Sequence, residues 1–225
     1  MSINRKTVLA IIPARAGSRR CPNKNLTLYK GKSLIQHAID QATHCDYIDT
    51  ICISSDSPEI LAYATPPIIP VLRPQYLSTD TASSESLIVH AIYSLNFFGE
   101  HIVPFHDLFV LLQPTSPLRT PNDISNCLEM SVRDRLFGGE SPITTTVSVD
   151  EQGKRNGAVY VSETKRFLAH LDLSSTSSGE YKMPNSRSLD INYPEDFHSS
   201  YVTSSSWQLP PSLKTIQNII LRRKT

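Results

Sequence analysis

The segment Pro13-Ala14-Arg15-Ala16-Gly17-Ser18-Arg19-Arg20-Cys21-Pro22-Asn23-Lys24-Asn25 places four cations, Arg15, Arg19, Arg20 and Lys24, within ten residues. It directly follows an apolar, partly β-branched run, Thr7–Ile12, of the kind that forms a buried parallel strand. Gly17 and Ser18 let the backbone fold tightly and turn its N–H groups inward. A loop of that type at a strand's carboxyl end can cradle a polyphosphate, with guanidinium forks and backbone donors neutralising several oxygens at once. The glycine spacing of a Walker loop and of a dinucleotide GxGxxG loop is absent. On charge alone a solvated basic surface loop explains the run equally well. Its place after a buried strand favours the binding reading.

Positioning such a loop requires a framework, and the rest of the chain supplies one. Strands are expected at Thr50–Ser54, Ile68–Leu72, Asp107–Gln113, Ile143–Val149, Gly157–Val161 and Ser188–Ile191. Helices are expected at Lys32–Thr43, Pro58–Ala64, Thr81–Phe98 (capped by Asp80 or Thr81), Ile124–Val132, Tyr193–Tyr201 and Ser212–Arg222. This alternation implies an α/β fold with a predominantly parallel sheet and helices on both faces. Ligands in such sheets lie at the carboxyl ends of the strands. Residues 1–225 read as a single domain, since no linker divides them, and the serine-rich stretches Thr176–Gly179 and Ser199–Ser206 read as loosely ordered.

Composition narrows the classes. Twenty-two basic and 21 acidic residues leave a net charge of +1, which gives no global reason to expect nucleic acid or an anionic membrane as partner. Cys21, Cys45, Cys52 and Cys127 form no CxxC pair and read as reduced thiols. The apolar run at the amino end is too short for a signal-peptide core, and no stretch approaches the roughly 20 apolar residues of a membrane span. A cytoplasmic protein is the expectation. The seven histidines show no ligand-like clustering.

Five ordered stretches resemble the acylneuraminate cytidylyltransferases, the CMP-sialic acid synthetase family. The basic loop is similar to that family's PARxGS(K/R)xxxxKN signature. Leu72-Arg73-Pro74 with Leu77 to Ser84 resembles its LRP…DTASS segment, and Leu111 to Arg119 (LLQPTSPLR) its LLQPTSPLR. Asn156 to Val161 (NGAVYV) resembles NGAIYI, and Leu189-Asp190-Ile191-Asn192 with Pro194-Glu195-Asp196 resembles IDIDTPED. The resemblance spans residues 8 to about 200. It implies the Rossmann-like fold of nucleotide-diphosphosugar transferases and the transfer of CMP from CTP to the anomeric hydroxyl of a nonulosonic acid, with release of pyrophosphate.

By the same resemblance, Arg15, Lys24 and Asp190 are the catalytic residues. Ala14, Arg15, Gly17, Ser18, Lys24, Asn25, Arg73 and Ser84 bind the nucleotide. Gln113, Arg155 and Asn156 approach the sugar, with Arg155 retaining a cation for its carboxylate. Gln113 and Asn156 have an alternative as caps of strand ends. Arg119 reads as structural, and Tyr160 and Tyr181 read as core or pocket wall.

Mg²⁺ is the implied cofactor, held by Asp190 and Asn192. Asn192 stands where the family carries a second aspartate, a neutral and weaker ligand for a hard cation. The middle segment, 120–155, is shorter than usual in the family. There the family places a dimer arm and parts of the sugar pocket, so a homodimer weakened by this shortening is expected. The QPTSPLR form favours the sialic or legionaminic branch. The alternatives are another acidic sugar such as Kdo or pseudaminic acid, and a diverged CTP-binding protein with little catalysis.

Overall fold

A computed structural model describes residues 3–98, 104–133, 145–173 and 178–199. The first strand, β1 (Val8–Pro13), feeds the basic loop. A small hairpin follows, β2 (Leu28–Tyr29) and β3 (Lys32–Ser33), antiparallel to each other. Lys30 and Gly31 turn it with φ of 47° and 82°, the left-handed pair that a two-residue hairpin turn demands. Helix α1 (Leu34–Thr43) starts where Ser33 Oγ accepts the Gln36 amide. Then come β4 (Thr50–Ser55), the short α2 (Pro58–Leu61), β5 (Ile69–Leu72) and α3 (Ser84–Tyr93), which widens into a π-turn over Ser94–Phe98. The chain continues through β6 (Leu108–Leu111), α4 (Pro121–Arg133), β7 (Thr145–Val149), β8 (Arg155–Glu163), α5 (Thr164–His170) and β9 (Gly179–Lys182).

Seven strands form one sheet in the order β5-β4-β1-β6-β8-β7-β9. β8 is antiparallel to both its neighbours, and the other described pairings in this sheet are parallel. The alternating side chains of β1 show why both faces are covered. Val8, Ala10 and Ile12 meet Ile35, Ala38 and Ala42 of α1 and Ile124, Cys127 and Leu128 of α4. Leu9 and Ile11 meet Leu87, Ile88 and Ala91 of α3 and Phe167 of α5. Burial of each large aliphatic side chain here is worth about 1.5–3 kcal/mol, so β1 is the best-anchored strand, and the basic loop hangs from its end. A third cluster, Cys21, Tyr29, Leu34, Ile191 and Phe197, fastens that loop to the segment around residue 190.

Several expected elements shift. α3 begins at Ser84, not Thr81, because Ser83 Oγ accepts the Ser86 amide and so caps it. α4 begins earlier than Ile124. Thr120 and Asp123 satisfy each other's backbone N–H groups, a reciprocal cap, and Pro121 occupies the first helical position, where no donor is needed. Ser188–Ile191 forms no strand; its Ile191 amide donates to Thr115 O across the end of the sheet. Within Tyr193–Tyr201 the described residues form a 3₁₀ helix, Pro194–Ser199. α5 and β9 were not expected. The Ser212–Arg222 helix, and most of the connection between α4 and β7, lie outside the described residues. No helix among the described residues is long and apolar enough to cross a membrane, and the four cysteines are free and buried.

Candidate active site

The basic loop leaves β1 by continuing its pairing: the Ala14 amide donates to Ser54 O at 3.0 Å. Ala16 N–H then donates to Asp56 Oδ1 at 2.9 Å, and Asn25 Nδ2 reaches back to Arg15 O at 2.9 Å. Asn25 is buried, and this bond makes it a brace of the loop as well as part of the cleft wall. Gly17 is outside the left-handed region, and a Cβ there would meet nothing within 4 Å. The turn therefore does not need glycine at 17; the left-handed residue of the loop is Asn23.

A cleft of about 240 Å³ opens at the carboxyl ends of β1, β5 and β6. Arg15, Ser18, Lys24, Asn25, Arg73, Ser84 and Gln113 all line it, so three separate motifs converge on one place. Asp80 lines it too, ion-paired to both Arg15 and Arg19. A larger groove, about 780 Å³, lies along α3 between Tyr76, Val89, Tyr93 and Leu171. Its described lining contains no lysine or arginine and lacks the strand ends, so the smaller cleft is the site with chemistry.

Burial depresses the Lys24 ammonium's pKa, and the nearby Asp190 carboxylate opposes that shift. Its Nζ donates to Ile191 O at 2.9 Å, which ties the phosphate-loop end to the Asp190 segment. Arg73 is almost fully buried and donates from Nε and Nη2 to Ser54 Oγ and O, at 3.2 and 2.7 Å. Burial lowers its pKa, partly countered by Asp56.

Gln113, which lines the cleft, meets Gly157 and Asp190, which do not. Gly157 has a φ of 74°, and a Cβ on it would lie 3.0 Å from Gln113 Oε1 and 3.7 Å from Asp190 Oδ2. The left-handed φ favours glycine here, and a Cβ would also press on the end of the Gln113 side chain. The backbone carbonyl of Gln113 accepts from Arg119 Nη1 at 3.3 Å. Arg119 is fully buried; it also donates to Ala158 O, and to Gln41 Oε1 at 2.7 and 3.1 Å. That agrees with its expected structural part. Burial pushes its pKa down to about 9. Tyr160, on β8, is raised by burial, with Arg155 lowering and Asp190 raising it.

Two expected sugar contacts lie elsewhere. Asn156 is buried with both side-chain ends engaged: Oδ1 accepts from Ser148 Oγ and Ala158 N, and Nδ2 donates to Ser188 Oγ and Met183 Sδ. It holds β8 to β7 and to residue 188, so the alternative of a bracing role applies. Arg155 is exposed at the start of β8, donates to Ser178 Oγ at 3.2 Å and does not line the cleft. In the sequence Asp80 reads as a helix cap and as part of the DTASS-like stretch, and its tie to Arg15, 65 residues away, has no local signal.

Asp190 Oδ2 accepts from Asn192 Nδ2 at 2.7 Å, whereas Oδ1 is buried with no hydrogen-bond partner among the described residues. An orphaned carboxylate oxygen suits a hard cation, and the neighbouring Asn192 carbonyl oxygen is a weaker donor of the same hard type.

Comparison with known proteins bears on the family and the fold. The sequence profile of the family described as Cytidylyltransferase matches residues 9–165. The CMP-N,N'-diacetyllegionaminic acid synthase of Legionella pneumophila is 32% identical over 219 residues, covering 84% of this chain and 93% of that protein. The pseudaminic acid cytidylyltransferase of Campylobacter jejuni is 32% identical over 167 residues, covering 71% of this chain and 68% of that protein. Among solved structures, a CMP:2-keto-3-deoxy-manno-octonic acid synthetase complexed with CTP superposes with a TM-score of 0.62 at 12% identity, covering 96% of this chain and 99% of that one. At that identity the likeness speaks for the fold, while the profile spans more than half of the chain. The chain belongs to the cytidylyltransferase family.

Proposed function

We propose that this protein transfers CMP from CTP to the anomeric hydroxyl of a nonulosonic acid, releasing pyrophosphate. One observation carries the reading: cations from the loop after β1 and Gln113 from the end of β6 face one cleft whose wall also contains Arg73 and Ser84. Arg15 and Lys24 neutralise phosphate oxygens as charge develops on them in an in-line displacement. Arg73, fixed by Ser54, and Ser84 offer the guanidinium and hydroxyl partners that cytosine and ribose accept. Gln113, held by Arg119 through its carbonyl, presents its amide toward the sugar. Holding both substrates in line is itself a large share of catalysis.

A divalent cation, Mg²⁺, fits Asp190 with Asn192 beside it, and when bound it supplies charge neutralisation on the phosphate under attack. The placement of Lys24 against Ile191 O keeps Asp190 next to the phosphate loop without any ligand. Arg155, exposed at the start of β8 outside the cleft lining, is the cation expected for the sugar carboxylate. A self-association weakened by the short 120–155 segment belongs to the same reading.

Pyrophosphate release from CTP tests the reaction, with N-acetylneuraminic, legionaminic, pseudaminic and Kdo acids each offered as acceptor. Release with one or more nonulosonic acids is expected. Release with Kdo alone moves the acceptor to the eight-carbon class. Binding of CTP with no release for any acid leaves a CTP-binding protein.

A further inference from the structure

Both terminal nitrogens of Arg15 make a hydrogen bond within the protein. Nη2 is paired with Asp80 Oδ1, and Nη1 donates to Ser78 O at 3.4 Å. The other carboxylate oxygen of Asp80 takes Arg19 Nε at 2.5 Å. Asp80 therefore divides its two oxygens between two cations of the phosphate loop, and it does so on the wall of the cleft itself. The Arg15 and Asp80 side chains are each about one-third exposed (30% and 33%), so an entering ligand can reach them, and Arg19 stands 87% exposed. The hydrogen bond from Arg15 lowers the Asp80 carboxyl's pKa, aided by the charges of Arg15, Arg19 and Arg20.

We propose that Asp80 is a built-in counter-anion of the cleft: it pairs with Arg15 and Arg19, and a phosphate that binds these cations must first displace it. A guanidinium fork recognises phosphate best with two parallel N–H donors. Asp80 and Ser78 take one N–H from each terminal nitrogen of Arg15, so a phosphate must displace them from that edge or use the remaining N–H groups beside the carboxylate's charge. Every phosphate that takes that edge of Arg15 must displace the carboxylate, and breaking the ion pair costs each of them the same. A triphosphate tail or pyrophosphate, carrying several charges, offsets it by also engaging Lys24. Inorganic phosphate, with one group, gains too little. Nucleoside without phosphate never meets the barrier. The carboxylate thus keeps the cations ordered and unavailable to small anions of the solvent.

This inference rests on the reading of Arg15 as a phosphate ligand, and the experiment separates the two. Calorimetric titration of the wild-type protein, Asp80→Asn, Asp80→Ala and Arg15→Ala uses CTP, pyrophosphate, inorganic phosphate and cytidine as probes. Both Asp80 variants are expected to bind CTP and pyrophosphate about two- to fivefold more tightly, the size of an exposed ion pair's contribution. Phosphate binding should become measurable, and cytidine affinity should not move. The gain should shrink as salt rises, because the interaction is screened. Unchanged or weaker CTP binding in both Asp80 variants, with Arg15→Ala impaired, overturns the counter-anion and makes Asp80 a strut. Unchanged CTP binding in Arg15→Ala overturns the phosphate-site reading and the inference with it.

Discussion

Replacing Gly157 by alanine separates the conformational demand near Gln113, where the sugar is proposed to bind, from the chemistry proposed for the phosphates at the basic loop. At φ 74° an L-residue lies in the left-handed region, which costs about 1–2 kcal/mol relative to glycine. The new Cβ would also stand 3.0 Å from Gln113 Oε1. That neighbour is the end of a flexible side chain, so it turns away at little added cost, but in turning it abandons its place beside Asp190. Two separable effects are expected. For a chain of this length the melting temperature should fall by about 2–8 °C. The KM for the sugar should rise about tenfold, equivalent to one lost polar contact, while the Kd for CTP stays within twofold. Gly17→Ala is the matched control in the other glycine-bearing motif. Its φ is ordinary and its surroundings are open, so it should keep or slightly raise the melting temperature, because alanine restricts the unfolded chain. Thermal melts by circular dichroism with steady-state kinetics in both substrates check this. A Gly157→Ala protein with wild-type sugar KM would refute the placement of Gln113 at the sugar. A loss of CTP affinity equal to the loss for sugar would show that the two ends of the cleft are not independent.

Arg15→Ala and Lys24→Ala should each weaken CTP binding by about 1.5–3 kcal/mol, the range for a charged hydrogen bond, without lowering the melting temperature by more than a few degrees; calorimetry and melts decide. Asn192→Asp would set a second carboxylate against Asp190 Oδ2, where an amide N–H now donates. Its melting temperature should drop without Mg²⁺ and rise more steeply with Mg²⁺ than the parent's, whereas overlaid titrations would show that position 192 does not face a cation. Asp123 is fully buried, and although burial raises its pKa, hydrogen bonds from Arg187 and Thr120 outweigh that and leave it lowered. A lowered carboxyl pKa stabilises the fold above the unfolded value near 4 and loses that contribution as pH falls through the folded one. Asp123→Asn should therefore cost about 2 kcal/mol at pH 7 and flatten the stability loss below pH 4, measured by urea unfolding across pH.

The sequence alone carried the strand–helix alternation, the basic loop after β1 and the conjunction of motifs that makes this chain a cytidylyltransferase. Those signals are local. A run such as Thr7–Ile12 is apolar because both sheet faces are covered, and a loop rich in arginine must stand at the surface. Local signals blur where several residues can do the same job. Asp80, Thr81 and Ser83 are all competent helix caps, and only the path of the chain beyond β5 selected Ser83. β9, Gly-Glu-Tyr-Lys, is too polar to announce a strand and forms because the edge of β7 has backbone donors and acceptors to satisfy. The reversal of β8 is likewise invisible in its composition. The site shows the same division. Arg15, Lys24, Arg73 and Gln113 were legible as types in motifs. The absorption of Asn156 into a bracing network, the dependence of Gln113 on Arg119 and Gly157, and the capture of Arg15 by Asp80 were not. Each joins atoms from segments far apart in the chain, and which polar group finds which partner is settled by packing, since burial leaves every donor and acceptor seeking whatever the fold brings within about 3 Å.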